Sequence, residues 1–156
     1  MNPKIVFVGE AYGEQEAGYG KAMVGPTGIE LLKLCHEAQI ISLEREHWRM
    51  FGDFWNTRDS AYIDMIWEDF PELYRTNVIN QQPPYNKIAA FCGGKKEGIP
   101  GYPAIIKGKF LLRQYLHELH RLAEEIDALN PNLVMALGNT AMWALLGQTA
   151  ISKNRG

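Results

Sequence analysis

The chain has 156 residues, of which 46% are hydrophobic and 22% charged, and its formal net charge is -2. This length and balance suit a single globular domain over residues 1–156, and a slightly acidic chain has no overall positive field to draw it to nucleic acid. The apolar runs are too short for a membrane span, and two cysteines cannot form a four-cysteine metal site. We expect a cytoplasmic, reduced and monomeric protein without membrane association.

The amino-terminal part of the chain predicts a strand, a glycine loop and a helix. Residues 4–8 are short, apolar and β-branched, which predicts a buried strand that ends at Gly9. A glycine-rich loop runs from there to Gly25, and Thr27 is placed to cap a helix with one apolar face. This order is typical of α/β folds, in which ligands bind at the carboxyl ends of the strands.

The middle of the chain is aromatic and then rich in proline and glycine. Residues 43–75 interleave aromatic and charged side chains, which predicts one or two short helices. Packing of the aromatics on the sheet is favoured, and stacking platforms for single-stranded DNA are the alternative. Residues 76–79 predict a second strand, which Pro83 and Pro84 prevent from continuing. Residues 85–108 predict a long loop, and such loops are usually functional.

The carboxyl-terminal third predicts two helices with a strand between them. Apolar residues at spacings of three and four predict a helix over residues 109–129, which Asn130 and Pro131 end. Residues 133–137 predict a third buried strand, and a short helix over 141–146 follows. The order of elements predicts an α/β fold with a mostly parallel sheet and helices on both faces.

Three segments, in order and in register, resemble the uracil-DNA glycosylase superfamily, most of all its family 4 branch and related bacteriophage enzymes. Residues 8–14 and 20–28 read VGEAYGE and GKAMVGPTG, similar to the signature GEAPGE…GRPFVGxAG. Residues 76–84 hold TNVI followed by a proline pair, similar to TNVxKxRPP. Residues 131–156 contain ALG and ISKNRG, similar to ALGxxA…ITKxRG. One Gly-Glu-Ala match is weak, but three over nearly the whole chain are specific.

The resemblance implies a three-layer α/β/α fold with a four-stranded parallel sheet, and hydrolysis of the N-glycosidic bond of uracil in DNA during base-excision repair. The base must be flipped out of the stack before this bond can be reached. Negative charge then develops on the departing base and positive charge on the sugar, which N–H donors and a carboxylate stabilise. By resemblance, Glu10 is the catalytic residue that holds a water beside the sugar.

The same resemblance implies the residues that bind the substrate. The backbone amides of Ala11 and Tyr12 would face a uracil carbonyl, and Met23 occupies the place of a stacking phenylalanine. Asn77 would pair with uracil N3–H and O4, because its amide offers one donor and one acceptor. The DNA phosphates beside the uracil would be contacted by Lys153 and Arg155.

Several positions depart from the family pattern. Met23 replaces an aromatic ring, Tyr12 replaces a proline, and Gln81 stands in place of a cysteine that binds the family 4 iron–sulfur cluster. We therefore predict no iron–sulfur cluster, no other metal and no cofactor. The family continues after the Arg-Gly pair with a further strand and a His-Pro loop, so we expect either a truncated chain that lacks the last strand or a degenerate relative.

Two other classes of function are consistent with these residues. One is a catalytically impaired module that binds a base or a protein partner on the same fold. The other is a small-molecule α/β hydrolase or nucleotide-binding protein, although the glycine loop lacks the spacing of a P-loop. Glu10 itself has an alternative role, as an acceptor for backbone amides of its own loop.

Overall fold

The computed structural model of the protein describes residues 3–146. Its strands are β1 (Ile5–Ala11), β2 (Leu73–Ile79), β3 (Cys92–Gly93), β4 (Phe110–Leu111) and β5 (Leu133–Ala136). Its α-helices are α1 (Glu14–Tyr19), α2 (Pro26–Glu37), α3 (Arg45–Thr57), α4 (Ala61–Glu68), α5 (Leu116–Leu129) and α6, which covers residues 139–146, and short 3-10 turns occur in the segments 84–97 and 113–115. None of the described helices combines the length and the hydrophobicity needed to cross a lipid bilayer.

The main sheet has three parallel strands in the order β2-β1-β5, and β1 lies at its centre. Side chains along β1 alternate between two cores, because successive residues of a strand point to opposite faces. Phe7 packs into the core formed with α2, α3 and α4, whereas Val6 and Val8 pack into the core formed with α5 and α6. The predicted three-layer α/β/α fold is therefore confirmed, with three parallel strands in the described part of the chain.

The segment 43–75 contains the two helices that its pattern predicts, α3 and α4, but its last three residues already belong to β2. The aromatic rings of Phe51, Phe54 and Trp67 are at most 4% exposed, so this segment packs on the sheet as favoured. Trp48 and Trp55 are 43% and 45% exposed, and the faces of their rings are approached by Lys33 and Arg58.

The helix predicted over residues 109–129 begins only at Leu116, so the prediction is wrong for residues 109–115. Phe110 and Leu111 instead pair with β3 as an antiparallel hairpin. Arg113 donates from Nε to the carbonyl oxygen of Gly98 at 2.9 Å, which holds this segment against the preceding loop. Leu111 is buried in the pairing with β3, and Tyr115 is buried in the 3-10 turn that follows. A helix would bury the same two residues, so their spacing does not distinguish the two conformations.

Three smaller predictions also need correction. The glycine loop contains the short helix α1, and α2 is capped by Gly25 and not by Thr27. Pro26 occupies the first turn of α2, where a fixed φ and a missing N–H are tolerated. Strand β5 is not fully buried, since Leu133 and Met135 are 50% and 38% exposed. Their side chains lie on the Phe7 face, which α2, α3 and α4 do not cover at β5 among the described residues.

Candidate functional site

A cavity of about 300 Å³ lies where the strands of the main sheet end. The carboxyl end of β1, the end of β2 and the residue after β5 all contribute to it, as expected for a parallel α/β sheet. Its volume is at the small end of the range for ligand pockets. The lining residues are Gly9, Glu10, Ala11, Tyr12, Gly13, Glu16, Met23, Thr27, Asn77, Pro83, Asn86 and Leu137. The structure thus brings Glu10, Ala11, Tyr12, Met23 and Asn77 together.

Asn77 contributes a side-chain amide that makes no hydrogen bond to any described residue. It lies on β2 directly opposite Gly9 of β1, and it is only 3% exposed. Its backbone carbonyl accepts from Arg121, but its side chain has no hydrogen-bond partner among the described residues. Buried amides normally have partners, so an amide facing a cavity without one is suited to pairing with a ligand.

Glu10 extends from the end of β1 into the same cavity. The hydroxyl group of Thr140, at the start of α6, donates a hydrogen bond to Glu10 Oε2 at a distance of 2.5 Å. Glu10 does not bind the amides of its own glycine loop in the described structure, which was the alternative role considered for it. That role belongs to Glu16, whose carboxylate accepts from the backbone N–H groups of Gly13 and Val24 at 3.1 Å each.

Met23 forms one wall of the cavity in an unusual backbone conformation. Its φ is 57°, in the left-handed region, and its side chain is 5% exposed. Two contacts stabilise this conformation: Trp67 Nε1 donates to the Met23 carbonyl at 2.9 Å, and Gly28 leaves room for that carbonyl. A Cβ at Gly28 would lie only 1.9 Å from the Met23 oxygen, so glycine is required there.

The backbone amide of Tyr12 is not available to a base in this structure. Its N–H donates to the carbonyl oxygen of Gln81 at 3.1 Å, so the expectation that it faces a uracil carbonyl stays a prediction. The two residues meet because β1 and β2 end side by side. The Tyr12 phenol still lines the cavity and donates to the Gly20 carbonyl at 3.3 Å. Burial of the phenol raises its pKa above the usual value.

Arg121 of α5 anchors the end of β2 on which Asn77 lies. Its Nη2 donates to the carbonyl oxygens of Asn77 and Val78 at 2.6 and 2.9 Å. Its other nitrogens bind Glu118 and Glu125, so the guanidinium is neutralised where it meets the strand. All three residues lie outside the apolar spacing of α5, and the sequence does not show that this polar face contacts β2.

A second cavity, of about 290 Å³, shares Tyr12 with the first and is lined by an ion-pair cluster centred on Asp64. The Asp64 carboxylate is 6% exposed and accepts from Lys21, Arg75 and Tyr19 at 2.5–2.9 Å. Burial by itself would raise the pKa of Asp64, but these hydrogen bonds outweigh it and lower the pKa below its usual value. In the same cavity burial, together with Glu125, raises the pKa of Tyr74 to about 12.

The remaining candidate residues lie elsewhere. None of the four histidines, all of which are described, lines the cavity that contains Glu10. Lys153 and Arg155 fall outside the described residues, and their contact with DNA stays a prediction. Gln81 donates from its side chain to Glu118 at 3.1 Å.

Comparison with known proteins relates the chain to one family. A family model described as the uracil DNA glycosylase superfamily matches residues 1–155. The chain is also similar to a type-4 uracil-DNA glycosylase of Thermotoga maritima, with 28% identity over 163 aligned residues. The alignment covers 100% of this chain and 57% of that relative, so the chain spans little more than half of the relative's length.

Proposed function

The chain belongs to the uracil DNA glycosylase superfamily, and we propose that it hydrolyses the N-glycosidic bond of uracil, or of a related modified pyrimidine, in DNA. The observation that carries the proposal is the unpartnered Asn77 amide, which faces the same cavity as the Glu10 carboxylate. One of these groups reads the edge of a base and the other acts at its sugar. A similarity to a type-4 uracil-DNA glycosylase supports the substrate class.

In the proposed mechanism the flipped base enters the cavity at the ends of β1 and β2. Asn77 accepts from the N3–H of the base with its amide oxygen and donates to O4 with its amide nitrogen. Met23 packs against the face of the base, where a thioether makes a softer contact than an aromatic ring. This pairing would favour uracil over cytosine, because cytosine presents an acceptor at N3 and donors at N4.

Glu10 stabilises the positive charge that develops on the sugar and orients a water for attack at the anomeric carbon. The bond between that carbon and the base breaks, and the base leaves with the bonding electrons. Water then adds to the sugar, and its proton goes to Glu10 or to solvent. The backbone N–H of Ala11 remains a candidate donor to the base, whereas that of Tyr12 binds Gln81.

The residues present do not fit an iron–sulfur cluster. Such clusters are held by four thiolates, and the chain has two cysteines. Cys35 is 3% exposed on the buried face of α2, and Cys92 lies in β3 with its thiol directed to the Ile88 carbonyl. We propose that the described domain is stabilised without a metal cofactor and that Gln81 replaces a ligand by its bond to Glu118.

A second candidate function is binding of a base without turnover. It is favoured by the small number of donors that the described residues offer to a departing base, since Tyr12 N–H binds Gln81 and none of the four described histidines lines the cavity. Asn77 and Met23 alone would then define a recognition pocket. The two functions differ in one measurable respect, which is whether the glycosidic bond is cleaved.

The test is release of base from a labelled oligonucleotide with one central uracil, followed by alkaline cleavage at the resulting abasic site. We expect strand scission with the wild-type chain, and a Glu10→Gln variant should lose at least about 100-fold in rate, as expected for loss of a catalytic carboxylate. Glu14→Gln is the matched control, because Glu14 is an exposed acid four residues further on that does not line the cavity.

Each result has a distinct reading. Scission that needs both uracil and Glu10 supports the enzyme. Binding that prefers uracil-containing to thymine-containing DNA, without scission, supports the recognition pocket. If the protein neither cleaves the uracil oligonucleotide nor binds it more tightly than the thymine oligonucleotide, both functions are contradicted.

A further inference from the structure

We propose that Thr140 is a positioning residue for Glu10 and thereby couples helix α6 to the reaction. The inference rests on the proposed function and adds a residue to it. Neither the motif spacing nor the similarity to known glycosylases assigns a role to this threonine.

The geometry of the pair carries the proposal. Thr140 Oγ1 lies 2.5 Å from Glu10 Oε2, a short distance typical of a hydroxyl that donates to a charged carboxylate. Thr140 is 2% exposed, so water does not compete for its hydroxyl group. The two residues are 130 positions apart in the sequence, so the contact is produced only by the packing of α6 against the end of β1.

A hydroxyl at the start of a helix often has a local role, which is to cap a free backbone N–H group. Here the Thr140 hydroxyl is instead within hydrogen-bond distance of a side chain on the central strand. Gly138, two residues before it, has a φ of 95°, in the left-handed region, where the chain turns from β5 into α6 and brings Thr140 to the Glu10 carboxylate. This placement is what a supporting contact to a catalytic carboxylate requires.

The consequence for the reaction is orientation. A glutamate side chain has three rotatable bonds, and a carboxylate that swings freely holds an attacking water poorly. With Oε2 fixed by Thr140, the other carboxylate oxygen is left to bind water or to face the sugar. Residues that lock the rotamer of a catalytic group in this way act on the rate of the chemical step more than on binding.

The test compares Thr140→Val, which keeps the shape and removes the hydroxyl, with Thr140→Ser, which keeps the hydroxyl. We expect Thr140→Val to lower kcat for base release by about 10- to 100-fold, the range for loss of a hydrogen bond to a charged group. KM should change little, and Thr140→Ser should recover most of the rate. Thr57→Val is the control, because it removes an exposed hydroxyl that bonds only within its own helix end.

A double-mutant cycle separates positioning from a general effect on the fold. In a Glu10→Ala background, Thr140→Val should cause no further loss of rate, since the hydroxyl acts through the carboxylate. Additive losses, or a Thr140→Val variant with the wild-type kcat, would overturn the proposal. A loss shared by the valine and serine variants, together with a lowered Tm, would do so as well by showing that the residue only packs.

The same cycle measured by urea unfolding does not depend on activity. We expect the stability effects of Glu10→Ala and Thr140→Val to be non-additive, because each removes the same hydrogen bond. If the wild-type chain releases no base but this coupling is present, the proposed function has failed while the contact stands. If base is released and the coupling is absent, the positioning role has failed and the function stands.

Discussion

Gly9 is the position at which one methyl group tests the arrangement of the whole pocket. It lies on β1 opposite Asn77, and a Cβ added to Gly9 would lie 2.5 Å from Asn77 Oδ1 and 3.1 Å from Met23 Cε. Ordinary contacts begin near 3.4 Å, so a Gly9→Ala substitution should displace the Asn77 amide by roughly 1 Å. Asn77 and Met23, the two side chains that would hold the base, are the ones displaced.

The expected loss follows from that displacement. A misplacement of about 1 Å in a catalytic site costs on the order of 100-fold in rate, which corresponds to about 2.7 kcal/mol of transition-state stabilisation. The fold should be little affected, because Gly9 has no left-handed φ and alanine loses less conformational freedom than glycine in a strand. We expect a Tm within a few degrees of the wild type.

The assay is single-turnover base release from the uracil oligonucleotide, with circular dichroism melting of the same samples. Gly18→Ala is the matched control, because a Cβ there meets nothing within 4 Å and alanine is favoured in helix α1. It should retain the wild-type rate. A Gly9→Ala variant that melts normally and releases uracil at the wild-type rate would refute the placement of the base between Asn77 and Met23.

Two further predictions concern the ion-pair clusters that support the site. Asp64→Asn should lower the free energy of unfolding by about 3 kcal/mol, since it leaves the cation of Arg75 without its partner in a largely buried position. Because the pKa of Asp64 is lowered in the folded protein, the difference in unfolding free energy between wild type and variant should be complete above about pH 5. It should disappear as the pH falls below the usual aspartate pKa and then through the folded-state pKa. A difference in urea unfolding that persists at pH 2 would contradict this. Arg121→Met should lower stability by about 3 kcal/mol by leaving Glu118 without its cationic partner, and Arg121→Lys should recover only part of this, because one ammonium nitrogen cannot replace three guanidinium nitrogens that bind the two strand carbonyls, Glu118 and Glu125 at once. Full recovery by lysine in the same unfolding measurement would argue against the fork.

Elements that depend on local pattern could be predicted from the sequence. The three strands of the main sheet and the helices α2, α3 and α4 follow from apolar runs and periodicities that neighbouring residues create. The start of α5 could not be predicted in this way. The spacing that places Leu119 and Leu122 on one face also suits residues 109–115, and only pairing with β3 selects a hairpin there.

The candidate residues divide along the same line. Glu10, Ala11, Tyr12, Met23 and Asn77 come from motifs at the ends of strands, and parallel strands end on the same side of a sheet, so their meeting in one cavity could be predicted. The contacts of Thr140 with Glu10 and of Arg121 with Asn77 could not. In the sequence, neither Thr140 nor Arg121 can be told apart from a polar helix residue that faces solvent.

The sequence by itself therefore determined the fold class, the edge of the sheet at which a ligand binds, and the residue types available there. Only the tertiary structure decided which of those groups remain available. The Tyr12 amide is occupied by Gln81, while the Asn77 side chain has no partner among the described residues. The physical reason is that a periodic pattern reports whether a residue is buried, whereas a hydrogen bond requires two groups to meet within about 3 Å, and residues distant in the sequence meet only when the layers pack.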